Sequence, residues 1–212
     1  MATSQYMTGR KKYARPQAVL WSENSGTLVN GLYIPNGYEI NANPGSETDP
    51  NNLNNFLILS DDNRSPIDIR PNRIEKRERM INGRMRSYHI ADKYEFSFQW
   101  NLLPSRAFPL NPDFDSTGKS SVSGQYTSDG GAGAAELLDW YKNHKGPFWM
   151  FLAYDKYTDF SPTLENPDAA YGHLSQYNEI VEVYFTNFDY TIVKRGGSNH
   201  DFWNVSVTLE EV

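Results

Sequence analysis

The chain has 212 residues, no cysteine and a formal net charge of −6, and 14% of its residues are aromatic. This length suits one large or two small domains, and a chain of this size buries roughly two thirds of its unfolded surface. Without cysteine, structural disulfides, thiolate metal sites and thiol nucleophiles are excluded. The acidic balance argues against a general nucleic-acid-binding protein.

The N-terminal residues 1–15 include several basic side chains but no apolar core after them. They are therefore predicted to form a flexible or partner-docked arm and not a secretory signal. No apolar stretch elsewhere approaches the ~20 residues that a membrane helix requires. Residues 16–212 are predicted to be a single β-sandwich domain with long polar loops at 41–55, 107–127 and 155–175.

Short strands are predicted in the first third of the chain, where apolar and β-branched runs are separated by turn residues. They cover residues 18–21, residues 27–34 with a hairpin turn at Asn30-Gly31, residues 56–59 and residues 67–69. The polar residues 60–66 before the last of these strands are predicted to form a turn.

A long hairpin is the strongest local signal in the sequence. Its arms are residues 73–81 and 84–90, and Asn82-Gly83 between them suits the positive backbone angles of a type I′ turn. Charged residues occupy both faces of the first arm, so the hairpin is predicted to project from the domain. The next strand, residues 94–100, alternates aromatic and polar residues and is predicted to lie in the core.

One helix is predicted after the loop at 107–127. Apolar residues recur at i, i+3, i+4 and i+7 from Ala134, and Ser128 or Asp129 is the expected N-cap. Residues 148–154 are predicted to form a strand directly after this helix.

Two strands close the sequence, residues 180–194 and 201–211, joined by a turn at 195–200. The second strand alternates strictly, which predicts that the end of the chain is held in a sheet. Its predicted core face consists of Trp203, Val205, Val207 and Leu209. Its opposite face, predicted to meet solvent, a lumen or a neighbouring subunit, consists of Asn204, Ser206, Thr208 and Glu210.

Together these elements predict a mainly β fold: an antiparallel β-sandwich or barrel with one packed α-helix and a long projecting hairpin. Eight to ten strands are expected, and the sequence has no repeat period.

No residue constellation gives a clear catalytic site. Residues 113–117 match the DxDxT signature of aspartyl-phosphate enzymes, but that chemistry requires the end of a buried parallel strand. The same stretch begins like a calcium loop, yet Gly124 stands where a bidentate glutamate is needed. Ser116 and Lys119 fit an SxxK motif, but Gly118 between them does not fix the required geometry. A solvated loop is preferred, and no catalytic, cofactor or metal residue is predicted.

Two further features have simpler explanations than a ligand site. Residues 130–133, GGAG, precede the helix, but Asp129 would repel a phosphate, so a flexible entry into the helix is predicted. The four histidines are scattered without metal-ligand spacing, at His89, His144, His173 and His200.

Basic residues are concentrated between positions 70 and 86. Contact with phosphates and charge pairing with a neighbouring subunit both account for such a run. The subunit interpretation is favoured, because Glu75 and Glu78 interrupt the run and charged strands also prevent uncontrolled edge pairing. The predicted interface residues are Arg73, Glu75, Lys76, Arg77, Glu78, Arg79, Arg84 and Arg86.

The succession of elements over residues 57–212 resembles tail proteins of long-tailed bacteriophages. The resemblance rests on the turn at 61–66, the charged hairpin arm 74–80 with Asn82-Gly83, the aromatic strand 94–100, the helix entry at 129–131 and the closing strand 199–211. Their order is similar to the tail-tube fold that tube subunits, distal tail proteins and minor tail proteins share. Which of these three the chain represents stays open.

The resemblance implies a structural protein of the virion tail, assembled in the host cytoplasm into homo-hexameric rings around a DNA-conducting lumen. It implies sheets joined between subunits, other tail proteins as partners, and passage of genomic DNA without sequence-specific binding. It implies no enzyme activity, cofactor, membrane or small-molecule substrate. An acidic protein suits such a lumen, because a wall that repels phosphate lets DNA slide.

Two other classes of function remain as alternatives. A carbohydrate-binding β-sandwich, for example in host-surface recognition, would use exposed aromatic residues as stacking platforms, with Trp21, Trp140, Trp149 and Tyr157 as the candidates. A hydrolase would need paired carboxylates, for which Asp113 and Asp115 are the visible candidates.

Overall fold

The structure is a computed structural model, which describes residues 18–29, 32–34, 56–107, 126–129, 131–154, 177–196 and 200–212. These residues contain nine strands and one helix, in chain order β1 (Val19–Ser22), β2 (Thr27–Val29), β3 (Leu32–Ile34), β4 (Phe56–Ile58), β5 (Asp68–Arg79), β6 (Met85–Pro104), α1 (Ala134–Asn143), β7 (Phe148–Leu152), β8 (Glu179–Gly196) and β9 (His200–Glu211). The mainly β class with one packed helix is thereby confirmed for this part of the chain.

Seven strands form one antiparallel sheet in the order β4-β1-β7-β8-β9-β6-β5, and β2 pairs with β3 separately. The chain between β4 and β5 runs beside β6, where the Ser65 N–H donates to the Gln99 carbonyl at 2.8 Å. The Trp100 indole N–H donates to the Ser60 carbonyl, also at 2.8 Å. These bonds bring the β4 edge next to β6, so the sheet curls around one of its faces.

The face enclosed by this curl, which we call the inner face, carries the main core. Buried side chains from α1 and from every strand of the sheet except β5 converge there. The largest are Trp21, Phe96, Phe98, Trp100, Leu137, Trp140 and Phe148. A helix of ten residues is too short to be stable alone in water, so this apolar contact holds α1 in place.

The opposite face, which we call the outer face, is covered over only part of its width. Beside β4, β1 and β7 a second buried cluster covers it, formed by Leu20, Phe56, Ile58, Phe151, Ala153 and Tyr177. Along β9 and β6 the same face carries exposed polar side chains such as Ser206 and Gln99. One half of the sheet is therefore buried on both faces, and the other half only on its inner face.

The strand β6 corrects two predicted boundaries. It is a single strand of 20 residues, where the sequence predicts separate strands at 84–90 and 94–100. No glycine or proline interrupts residues 91–93, and a β-bulge with Ile90 as its extra residue absorbs the change of register against β5. The predicted strand at 67–69 likewise runs on into β5, so the hairpin is longer than predicted and continuous with the sheet.

The turn of this hairpin differs from the predicted type I′ turn. Only Gly83 takes a positive φ, of 78°, whereas a type I′ turn requires two such residues. The Gly83 N–H donates to the Met80 carbonyl and the Met80 N–H donates to the Arg84 carbonyl, each at 2.8 Å. This is a three-residue loop with a glycine bulge, and the Asn82 side chain supports it by accepting the Arg84 N–H at 3.1 Å.

The helix begins later than its predicted cap. The N-cap is Gly133, whose N–H donates to the Glu136 carboxylate at 2.6 Å. Asp129, a predicted cap, instead accepts hydrogen bonds from the Ser60 hydroxyl and the Asp61 N–H, both at 2.7 Å. A carboxylate that is 8% exposed requires such donors, so Asp129 ties the helix entry to the end of β4.

Several predictions concern residues outside the described part: the arm at 1–15, the loops at 41–55 and 155–175, and most of the loop at 107–127. Among the described residues, no helix is long and apolar enough to span a membrane.

Candidate functional site

The candidate catalytic residues are not brought together in the described structure. Asp113, Asp115, Ser116 and Lys119 lie outside the described residues, as does His173. The three described histidines lie apart: His89 pairs with Asp92, His144 with Glu23, and His200 stacks on Tyr126. Within the described ranges, no group of three or more His, Asp or Glu side chains could hold a metal ion.

The glycine-rich entry to α1 is a close packing point, which corrects the predicted flexible entry. A Cβ on Gly131 would lie 2.5 Å from the Ser60 Cα, and one on Gly133 would lie 2.6 Å from the Arg106 Cα. The described amides are also occupied, since the Gly131 N–H donates to Asp129 and the Ala132 N–H to the Ile58 carbonyl. These glycines let two backbones meet, and their amides are not directed at a ligand.

Of the four aromatic residues expected as platforms of a carbohydrate-binding module, two are buried in the core. Trp21 is fully buried and Trp140 is 5% exposed. Trp149 is half-buried and packs against the second cluster, and Tyr157 lies outside the described residues. The sequence could not separate these tryptophans from surface residues, because a core aromatic and a stacking platform have the same local pattern.

The predicted interface residues lie on a projecting arm, which we define as residues 68–94. Every residue from 68 to 90 is exposed except Glu75, which is half-buried. Ion pairs join Arg73 to Asp92 at 2.9 Å, Arg77 to Glu75, and Lys76 to Glu78 at 2.6 Å. Of the eight predicted interface residues, five thus pair within the arm itself, and Arg79, Arg84 and Arg86 form no ion pair with a described residue.

The ion pairs of the arm shift the pKa values of their members. The hydrogen bond between Arg73 and Asp92 raises the pKa of the arginine and lowers the pKa of the aspartate. Hydrogen bonds from Ser87 and then from Arg77 lower the pKa of the Glu75 carboxyl. Because Arg73, Arg77 and Asp92 are solvent-exposed, the pairs orient side chains along the arm and contribute little to the free energy of folding.

The half-sheet β8-β9-β6-β5 has two edges without a neighbouring strand in the described part of the chain. β7 pairs with β8 only from Glu179 to Val183, so β8 from Tyr184 onward has β9 on one side and no strand on the other. β5 pairs with β6 alone. Both edges bound the half of the sheet whose outer face is uncovered, and an unpaired edge is a template for another strand.

The uncovered outer face is polar. Paired residues share a face, so Asp189 lies beside Ser206, Asn187 beside Thr208, and Glu210 beside Glu95. The polar side of the alternation in the last strand thus lies on this face, and Val205, Val207 and Leu209 are buried on the inner face, with Trp203 half-buried there.

Carboxylates collect at the base of the arm, where β8 begins and β9 ends. Burial, and then the charge of Glu211, raises the pKa of Glu179. The Tyr184 hydroxyl donates to the Glu210 carboxylate at 3.0 Å, and this bond raises the pKa of the tyrosine. Neither Glu182 nor Glu210 forms an ion pair with a described residue.

The sequence patterns did not identify the free strand edges or the carboxylates of Glu179, Glu182 and Glu210 at the base of the arm. Strand patterning identifies which residues lie on a strand, but an edge depends on which strands become neighbours. A partial signal was present: β8 alternates polar residues at Asn187, Asp189 and Thr191, as a face in contact with water does.

Large apolar side chains are exposed mainly on the two long hairpins. Of the fifteen that are exposed in the described residues, thirteen lie between the start of β5 and the end of β6 or on β8, and the exceptions are Leu28 and Val212. Surfaces of this kind are typical of contacts between proteins.

No protein family, no curated protein and no solved structure matches this chain.

Proposed function

We propose that this chain is a structural protein of a bacteriophage tail, whose copies join through their sheet edges into rings, six to a ring, that form or adjoin the DNA-conducting tube. The proposal combines the order of sequence elements with one observation on the fold. The half-sheet β8-β9-β6-β5 is bounded on both sides by edges that no described strand covers. Pairing of the β5 edge of one copy with the β8 edge of the next continues the sheet around a ring.

The two faces of this half-sheet support the orientation of such a ring. Over β9 and the core part of β6 the inner face is buried against α1 and the core, so there the outer face is the one free to line a lumen. Next to the core that face carries the carboxylates of Asp68, Asp189, Glu95 and Glu210 and the cations Arg70 and Lys93 among uncharged polar side chains, a net negative charge. A wall of this composition repels phosphate and gives DNA no binding site.

The arm extends this half-sheet beyond the core and is the proposed contact with a neighbouring ring or tail protein. Its exposed charges allow it to remain soluble before assembly, and its exposed apolar side chains gain by being covered afterwards. In this proposal the protein acts through geometry and interfaces and catalyses no reaction.

Engineered disulfides test the edge pairing, because the chain has no cysteine of its own. A cysteine at position 70, 72 or 74 in β5 is combined with one at position 187, 189 or 191 in β8, all on the outer face. Under oxidising conditions we expect a ladder of cross-linked products that ends at six copies, because adjacent strands bring Cβ atoms within disulfide reach.

The matched control places the second cysteine at position 206, in the middle of the same face, and no ladder is expected from it. Negative-stain images of the unmodified protein at high concentration should show rings or tubes. A protein that stays monomeric over a wide concentration range, alone and with other tail components, would contradict the proposal.

A further inference from the structure

The outer face of the arm changes character between its base and its tip. In β5 and β6 the pairs Ile74 with Ala91, Lys76 with Tyr88, and Glu78 with Arg86 share this face. Towards the core the same face continues through Lys93 and the ion pair of Arg70 with Asp68 to Glu95 and Glu210. The face is therefore basic near its tip, apolar in its middle and mixed in charge at its base, beyond which the carboxylates of Glu182 and Glu210 have no ion-pair partner in the described residues.

The basic end is not neutralised within the described chain. Glu78 lies opposite Arg86, but its carboxylate pairs with Lys76 at 2.6 Å, which leaves one positive charge among the three residues. Arg84, in the turn, has no ion-pair partner in the described residues either. The apex beside them is apolar, with Ile81 fully exposed and Met85 56% exposed.

The middle of the arm has an apolar patch that nothing in the described structure covers. Ile74 is 43% exposed, Tyr88 is 51% exposed and the bulged Ile90 is 69% exposed. Position 90 lies midway along β6 between the tip at Met85 and the base at Glu95. The patch therefore lies at the centre of the arm, between the cations of the tip and the carboxylates beyond the base.

A basic tip, an apolar middle and the unpaired carboxylates beyond the base form a surface that is complementary to itself after a two-fold rotation. We propose that two copies of the unassembled protein form a reciprocal dimer through their arms. The arms lie antiparallel, so that Arg84 and Arg86 of each copy meet Glu210 and Glu182 of the other. The apolar patches around Ile74 then meet at the two-fold axis, as in an isologous interface.

A second copy is the partner that the charges favour. Residues 68–94 hold eight Lys and Arg and four Asp and Glu, a net +4, and since the whole chain carries −6, the remainder carries −10. The cations at the tip cannot reach Glu182 and Glu210 of their own chain, because the strand from Pro71 to Arg79 extends about 26 Å away from the base. Opposite charges on two copies steer association and fix its register.

This dimer goes beyond the proposed rings and is distinct from them. It covers the outer face around Glu210, which the ring leaves to the lumen, so dimer and ring cannot both use that face. The dimer is therefore a form of the unassembled protein that separates before assembly. It protects the exposed apolar residues of the arm from uncontrolled contacts until then.

Two charge reversals on opposite faces of the arm test the dimer. Arg86→Glu reverses a charge on the outer face, and Arg79→Glu makes the same change on the inner face, where Arg79 pairs in register with Met85. In sedimentation experiments we expect Arg86→Glu to weaken dimerisation by about tenfold or more, because like charges then meet at both ends. Arg79→Glu is expected to leave the dissociation constant within about twofold.

A charge swap separates the interface from damage to the arm. Glu210→Arg alone is expected to be monomeric, as is Arg86→Glu alone. Mixing the two variants restores both contacts, since the introduced glutamate of one copy then meets the introduced arginine of the other, and the unchanged Arg86 meets the unchanged Glu210. A dimer that appears only in the mixture supports the proposal, and circular dichroism shows whether each variant is folded.

Equal loss of dimer in Arg79→Glu and Arg86→Glu, or no dimer in the mixture, would overturn the proposal. A monomeric wild-type protein overturns it too, and so does binding of the arm to duplex DNA or to vesicles of anionic lipid without self-association. These results differ from failure of the proposed function: rings without dimers refute only the dimer, and dimers without rings refute only the tail assembly.

Discussion

The two halves of the seven-stranded sheet have the same inner face but different outer faces. Beside β4, β1 and β7 the outer face is buried by the cluster around Phe151 and Tyr177. Beside β8, β9, β6 and β5 it carries exposed polar residues. Strands covered on both faces serve the core, whereas strands covered on one face keep a surface for another molecule.

The difference extends to strand length. β1, β4 and β7 have three to five residues, whereas β5, β6, β8 and β9 have 12 to 20. The short strands are no longer than the core they cover. The long strands run past the core, which creates the arm and the free edge of β8.

The largest expected effect is a difference in the free energy of unfolding between substitutions on the outer faces of the two halves. Phe151→Ala, in the covered half, should lower the free energy of unfolding by about 3–5 kcal/mol, because it leaves a cavity in a closed cluster. Ser206→Ala, on the same face in the uncovered half, should change it by less than about 0.5 kcal/mol. Denaturant unfolding measures both, and equal effects would remove the distinction between the halves.

An intermediate effect is expected at the contact that ties the helix entry to the end of β4. Asp129→Ala removes the acceptor of the Ser60 hydroxyl and the Asp61 N–H and should cost about 2–3 kcal/mol. Asp189→Ala, an exposed carboxylate of the uncovered half, is the matched control and should be close to neutral. Thermal unfolding of the two variants gives the comparison, and a neutral Asp129→Ala would show that the stability of the fold does not depend on this contact.

The smallest effect concerns the exposed ion pairs of the arm. The Arg73 contact lowers the pKa of Asp92, so its stabilising contribution is present above the unfolded pKa and is lost as the pH falls through the lowered value. We expect that loss at acidic pH, below about 4. Arg73→Gln should return the Asp92 pKa towards its ordinary value, which an NMR titration of the carboxyl carbon measures. An unchanged titration would mean that the pair does not form in solution.

Local features of the fold could be predicted where neighbours in sequence decide them. The alternation from Trp203 to Leu209 places apolar residues on one face, and the structure buries Val205, Val207 and Leu209 there. The dipeptide Asn82-Gly83 correctly locates the hairpin turn. The predicted turn type is wrong, because the Asn82 side chain accepts a hydrogen bond that stabilises a longer loop. The predicted strands are too short where no glycine or proline interrupts the chain, as at residues 91–93.

The candidate site could be predicted only in part. Charge on both faces of the first arm was enough to expect a projecting hairpin, and residues 68–90 are exposed almost throughout. The pairing of charges within the arm could not be derived, because it depends on the cross-strand register and on the bulge at Ile90. The burial of Trp21 and Trp140 likewise depends on β1 and α1 meeting across the core.

By itself the sequence determined a cysteine-free, acidic chain of amphipathic strands with one helix and one charged hairpin, because composition and periodicity are local properties. Only the tertiary structure decided which strands are neighbours, since β9 inserts between β8 and β6 and β1 lies between β4 and β7. That order decided which edges stay free and which half of the outer face is covered. Contacts between residues distant in sequence are set by packing, and no local pattern encodes them.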